Sequence, residues 1–275
     1  MPSPHRSSHE HFTPATTKQT QPLLMLSPTD WASFLTVMAD TLRLTPEALS
    51  MAYVYLHRYN RWASEESCSP LDDHTLCLAS LSLSTKATES PRRLRELLVP
   101  AYAHLHPSSP PLTFPSPLYD SLRSTVVAAE LLLLRVLRFD LRVPLPYDFL
   151  PRFLEKVLPP VATPGEEECA ETKIVDICET GLGREVWGVV GRVMTSYKIC
   201  NFFPARSVAA ACLFHVALKR GLRIGDGSAK EWVKRLTGGK VEHEDFVEAL
   251  EEIDNLCGAS SEARRQGGRE ILRVG

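Results

Sequence analysis

Apolar residues recur along this chain at helical spacing, in blocks separated by polar or proline-rich breaks. Trp31, Phe34, Leu35, Met38 and Leu42 share one side of a 3.6-residue repeat, and Ser27-Pro28 before them reads as a hydroxyl cap followed by proline at the first helical position. Thr45-Pro46-Glu47 repeats that start. Leu49, Ala52, Tyr53, Leu56 and Tyr59 then mark the inner face of a second helix ending near Trp62, with Val54 and Tyr55 widening the buried surface. The block His74 to Lys86 is less plain, because Leu81-Ser-Leu-Ser alternates as a strand does. Its length, its scarcity of β-branched residues and the capping Asp72-Asp73 pair favour a helix. Small side chains on nearly every side would let neighbouring helices approach closely, as a central helix requires. Pro91 opens a fourth, Arg-rich helix from Arg92 to His106; a stiff proline loop runs from 106 to 117; Tyr119 to Arg138 is the longest apolar helix.

Val143-Pro-Leu-Pro-Tyr-Asp148 reads as a stiff linker into a second helical set. That set begins with Tyr147 to Leu158, is interrupted by Pro159-Pro160 and an acidic loop, Gly165 to Glu171, and continues with helices expected at about 184–199, 204–220, 228–237 and 243–257. Pro204 marks a helix start and Gly221 a C-cap. Arg206 to Lys219 weakly echoes His74 to Lys86, both being small-residue-rich apolar helices that end in lysine. Residues 1–22, rich in Ser, Thr, Pro, His and Gln, hold too little apolar surface to offset ordering and read as a disordered arm. The expected organisation is all-α: the arm at 1–22, helical bundles at 23–143 and 144–258, and a flexible tail at 259–275.

Composition sharpens this picture. With 275 residues, 44% of them hydrophobic and 23% charged, the chain can bury one large or two medium cores, which excludes a disordered chain, a collagen and a disulfide mini-scaffold. Its 21 prolines against 14 glycines suit helices joined by stiff loops better than a sheet built on tight turns. A net charge of −2 lacks the basic excess of phosphate-dominated nucleic-acid binding, so no direct nucleic-acid partner is expected. The seven cysteines form no CxxC pair and are odd in number, which points to reduced intracellular thiols rather than a zinc ribbon or disulfide framework. There is no signal-peptide core before Leu23, and the apolar run Val126 to Leu137 is broken by Glu130 and Arg135, so neither secretion nor a membrane is expected.

Catalytic and metal chemistry find little support. His5, His9 and His11 lie in the arm without cysteine or a carboxylate cluster and read as a solvated tail; Ser3-Pro4, Thr13-Pro14 and Ser27-Pro28 fit proline-directed phosphorylation but are common in such arms. Cys212 and His215 are one helical turn apart, as a nucleophile and base are, yet both sit in the apolar helix Val208 to Leu218 with no evident orienting carboxylate. Buried packing is the better reading. No phosphate-binding glycine loop or metal-ligand cluster appears, so no cofactor, metal or intrinsic activity is expected.

One charge stands out. Glu130 lies in Val126-Val-Ala-Ala-Glu-Leu-Leu-Leu-Leu134, where leaving water unpaired would cost an ionised carboxylate several kcal/mol. It needs a cation or donors: Lys86 is the natural choice, with Arg135 and the Arg92 to Arg95 run as competitors. Periodicity alone leaves open an ordinary salt bridge, a narrow exposed stripe and a functional contact.

Met51-Ala-Tyr-Val-Tyr-Leu-His-Arg-Tyr59, the stretch Leu76 to Glu96, and Glu130-Leu-Leu-Leu-Leu-Arg-Val-Leu-Arg-Phe-Asp-Leu141 together resemble a cyclin box in order and spacing, over roughly residues 27–145. The tract Tyr197 to Cys212 is similar, more loosely, to the second box of transcription-type cyclins. The resemblance implies two tandem five-helix cyclin-box bundles, with Lys86 and Glu130 as the central pair that engages a kinase and Glu89, Leu134, Phe139 and Leu141 as further kinase-facing residues. Two features depart from the wider pattern. The family's Lys-x-Glu-Glu reads Lys86-Ala-Thr-Glu89, and the Met-Arg-x-x-x-Leu docking helix of cell-cycle cyclins is absent from Phe34 to Arg43. Glu89-Ser-Pro-Arg-Arg-Leu-Arg-Glu96 instead resembles the cyclin L, K, T and Q group. That implies a nuclear, non-catalytic subunit that forms a heterodimer with a transcription-type cyclin-dependent kinase and activates it toward RNA polymerase II C-terminal repeats or transcription or splicing factors, with further transcription factors as additional partners. The rival within the same fold is a DNA-holding factor of the TFIIB kind, against which the missing zinc ribbon and the charge of −2 both count.

Overall fold

A computed structural model of the chain describes residues 28–158, 178, 180–222 and 228–258. The expected arm, the Ser/Thr-Pro sites, the three arm histidines, the acidic loop and the tail lie outside the described residues. Those that are described form eleven α-helices and one 3-10 turn, with no strand among them.

Helix α1 spans Pro28–Leu42 and α2 Pro46–Glu65. The start of α2 is as its sequence implies: the Ala48 N–H donates to the Thr45 hydroxyl at 3.3 Å and Pro46 occupies the first turn, where no N–H is needed. The ambiguous serine–leucine block is helical. It forms α3, Asp73–Ala87, capped by the Asp72 carboxylate, which accepts from the Thr75 N–H at 3.0 Å. Every residue from Leu76 to Thr85 is buried, and the small side chains let α2 and α5 (Pro117–Val136) lie close against it. Helix α4, Leu94–Leu105, completes the first set by packing on α1, α3 and α5.

After the 3-10 turn Pro146–Asp148 come α6 (Leu150–Val157), α7 (Gly181–Val193), α8 (Tyr197–Phe202), α9 (Ala205–Lys219), α10 (Ala229–Thr237) and α11 (His243–Leu256). Helix α9 repeats the character of α3, being buried throughout from Ser207 to Ala217, with α6, α7, α10 and α11 packed around it. It ends as expected at Gly221, whose φ of +67° is the left-handed conformation a glycine adopts without strain.

One helix differs from its sequence reading. The single helix expected at 184–199 is two: α7 stops at Val193, the Thr195 hydroxyl turns back to the Arg192 carbonyl at 2.8 Å, and Ser196 is extended before α8 begins. Hydroxyl side chains here compete with the helical ladder, and the break turns α8 away to lie on α2. The two sets share one continuous core. Polar contacts cross between them: the Ser50 hydroxyl donates to the Tyr147 hydroxyl at 3.4 Å, His57 Nε2 to the Thr195 carbonyl at 3.0 Å, and Trp187 Nε1 to Glu47 at 3.4 Å.

Candidate functional site

Glu130 projects from the middle of α5 toward the end of α3 and keeps only 8% of its surface in water. Of the cations near it in sequence, the structure selects Lys86: its Nζ donates to Glu130 Oε2 at 2.8 Å, while the lysine side chain itself stays about half exposed (46%). The competing arginines are engaged elsewhere or face away. Arg92 donates to the Leu42 carbonyl at the end of α1, and Arg95 lies 5.4 Å from the ring centre of Phe114. Glu130 Oε1, the second carboxylate oxygen, is buried with no hydrogen-bond partner. A buried acceptor left unmade costs on the order of 1–3 kcal/mol, so this oxygen is a standing demand for a donor.

Two strained helix ends flank the pair. Beyond α3, Glu89 adopts a left-handed backbone with φ of +56°, held by the Glu89 N–H to the Lys86 carbonyl (3.3 Å) and the Ser90 N–H to the Thr85 carbonyl (2.8 Å). Its carboxylate is exposed and unpaired among the described residues. Beyond α5, Arg138 and Phe139 are both left-handed, at +53° and +60°, and the Phe139 N–H closes onto the Leu134 carbonyl at 2.9 Å. Two consecutive non-glycine residues in that region cost about 1–2 kcal/mol each, and the result is a phenylalanine with 70% of its surface in water. The Tyr55 hydroxyl donates to the Leu141 carbonyl at 2.7 Å, tying the following segment to α2. Burial of that phenol pushes its pKa up to about 12, so it remains a donor.

The six residues singled out in the sequence therefore play unequal parts. Lys86 and Glu130 touch; Glu89 stands exposed just past Lys86; Leu134, half-buried, is one turn along α5 from Glu130; Phe139 is exposed; and Leu141 packs half-buried on the core, its carbonyl rather than its side chain making the specific contact. One residue was missed. Leu131 is 53% exposed and, with Val127 and Leu134, forms an apolar stripe at helical spacing beside Glu130. Four consecutive leucines cannot all face inward on one helix, and that was the available signal.

The buried Cys212 and His215 gain the carboxylate their sequence did not reveal: His215 Nδ1 lies 2.6 Å from Asp254 Oδ1 on α11. Cys212 is wholly buried and its thiol is pushed well above the usual range by desolvation, so it stays protonated and out of reach of a substrate. Among the described residues no cluster suits a metal ion, and no helix is long and apolar enough to cross a membrane.

Residues 8–142 match the family model of the cyclin N-terminal domain. Among curated proteins, Cyclin-T1-2 of Arabidopsis thaliana is 21% identical over 188 residues, covering 68% of this chain and 37% of its own length. Cyclin-T1-4 of the same plant is 20% identical over 205 residues, covering 74% and 34%. The chain thus spans about a third of the length of these relatives. Among solved structures, a chain of the yeast RNA Pol II CTD kinase CTDK-1 complex superposes with a TM-score of 0.60 at 16% identity, over 85% of this chain and 66% of that one. A chain of the Chaetomium thermophilum CAK complex bound to ATP-gamma-S gives 0.51 at 14% identity, over 90% and 67%. At such identities the likeness establishes the fold.

Proposed function

We propose, from the premise that the chain belongs to the cyclin family, that it is the regulatory subunit of a transcription-type cyclin-dependent kinase, which it binds and activates as a heterodimer. The observation that carries this reading is the half-satisfied Glu130. A carboxylate held by Lys86 on one oxygen, with the other buried and unbonded, is set for a donor from a partner, and the apolar surface of Leu131, Leu134 and Phe139 beside it supplies the area that docks. Glu89 adds a free negative charge at the edge, suited to a basic residue of the kinase. A rigid face of this kind favours the active position of a mobile kinase helix by binding it better than the inactive one.

The transcription-type assignment rests on the Glu89 to Glu96 tract, on a first helix that turns Phe34, Leu35 and Met38 inward and lacks the cell-cycle docking motif, and on the Cyclin-T and CTDK-1 likenesses. On this reading the complex works in the nucleus on Ser/Pro-rich substrates such as the polymerase C-terminal repeats. Tagged chain purified from its native cell is expected to retain a cyclin-dependent kinase that phosphorylates such a repeat peptide, and the Lys86→Ala, Glu130→Ala double variant to lose both kinase and activity. Unchanged co-purification and activity in the variant would overturn the proposal.

A further inference from the structure

Away from the Glu130 face, the ends of α2 and α5 meet α8 around an open cleft of about 490 Å3. Its walls carry four arginines, Arg58 and Arg61 on α2 and Arg135 and Arg138 at the end of α5, against two glutamates, Glu65 and Glu66. Arg61 is held by Glu65 at 2.8 Å and lies 5.6 Å from the centre of the Phe202 ring. Arg58, Arg135 and Arg138 have no hydrogen-bond or ion-pair partner for their guanidinium groups among the described residues. The negative end of a helix suits Arg135 and Arg138, but it does not explain why they share a cleft with a half-buried Arg58 from another helix in a chain whose net charge is −2.

A second hollow of about 300 Å3 adjoins the first and shares Arg58, Cys200 and Asn201 with it. Its other walls are apolar, including Val54, Val143, Pro146 and Ile199, and its rim holds Phe202, 59% exposed. Charge and shape here are complementary to one kind of ligand. We infer that this junction binds a peptide segment bearing phosphoserine or phosphothreonine, the phosphoryl group set among Arg58, Arg135 and Arg138 and a neighbouring apolar side chain seated in the adjoining hollow. Arginines that line one cleft from α2 and from the end of α5 suit a dianion that can accept several charge-assisted hydrogen bonds at once. The cationic area is local and ends in an apolar pocket, whereas a nucleic-acid backbone would need an extended basic track. The break between α7 and α8 is what creates the site, because it brings Cys200, Asn201 and Phe202 against α2.

The test measures binding of the purified full chain, without a kinase, to peptides with degenerate flanks around a central phosphoserine or phosphothreonine. The same peptides unphosphorylated, the same with glutamate at the centre, and a single-stranded oligonucleotide serve as comparators. The phosphorylated series is expected to bind at least roughly tenfold more tightly than either other peptide series. Arg135→Glu with Arg138→Glu, both on the surface, is expected to abolish that binding with an unchanged melting temperature; Phe202→Ala is expected to relax the preference at the flanking position while the phosphoryl requirement remains. Equal binding of phosphorylated and unphosphorylated peptides, binding that survives the double charge reversal, or tighter capture of the oligonucleotide would each overturn the inference.

Discussion

Glu130 sits nearly out of water with one carboxylate oxygen on Lys86 and the other unbonded, so its two partners differ in what their loss does. Lys86→Ala leaves a buried carboxylate without its cation and is expected to lower stability by about 1–3 kcal/mol in a denaturant titration. Glu130→Leu removes the buried charge and its orphan oxygen together, so it is expected to change stability by less than about 1 kcal/mol while abolishing kinase retention. A residue that served stability alone would show the reverse order. His57 carries a separate, pH-dependent effect. Enclosed by the Trp31 and Tyr197 rings, at 5.2 and 5.7 Å, it is held neutral by desolvation, its pKa lowered from 6.5 to about 4. Between those values the unfolded chain binds a proton that the folded one refuses, so stability falls as pH drops from 6.5 toward 4, by on the order of 3 kcal/mol in full. Melting temperatures across that range should decline for the native chain, and less steeply for His57→Gln. Glu130 was legible as a charge in an apolar run because desolvation makes such a residue conspicuous. Lys86 was legible as the natural partner, with arginine competitors left open, since settling on Lys86 over Arg135 depends on how α3 and α5 face each other.

Helix α3 was the element most open to misreading, and its serines decided the matter by packing rather than propensity. Ser84 and Thr85 turn their hydroxyls to the Leu81 and Ser82 carbonyls, while the hydroxyls of Ser80 and Ser82 are buried without a partner. Their smallness is therefore what α2 and α5 require. Ser80→Ala is expected to be neutral or stabilising by up to about 1 kcal/mol, and Ser80→Leu to destabilise by about 1–3 kcal/mol, both read from thermal unfolding. The break after α7 escaped the sequence because Thr195 and Ser196 are tolerated inside helices. Only their hydroxyl and backbone geometry, and the opportunity for α8 to pack on α2, favour a turn there. The same contact creates the arginine-lined junction, so a misread helix boundary also hid a candidate binding site.

Across the whole molecule, proline-rich joints made the two helical sets legible, and an apolar period of 3.6 residues made their helices so. What the sequence did not reveal is how the sets are joined: Ser50 meets Tyr147, Glu47 meets Trp187 and His57 meets Thr195 across them, and their buried residues form one continuous core. Such pairings join residues 97 to 140 positions apart, and no local pattern encodes them. One cooperative transition is therefore expected, with tryptophan fluorescence and far-ultraviolet circular dichroism giving coincident midpoints in denaturant. The proposed role of the Glu130 face as a kinase-docking surface belongs to this scale too. The most direct test of that role is hydrogen exchange on the chain bound to the kinase recovered from its native cell, compared with the free chain. Protection concentrated at residues 86–89 and 127–141, and absent from α10 and α11, is the expected result; a complex that leaves those segments exchanging as in the free chain would contradict it.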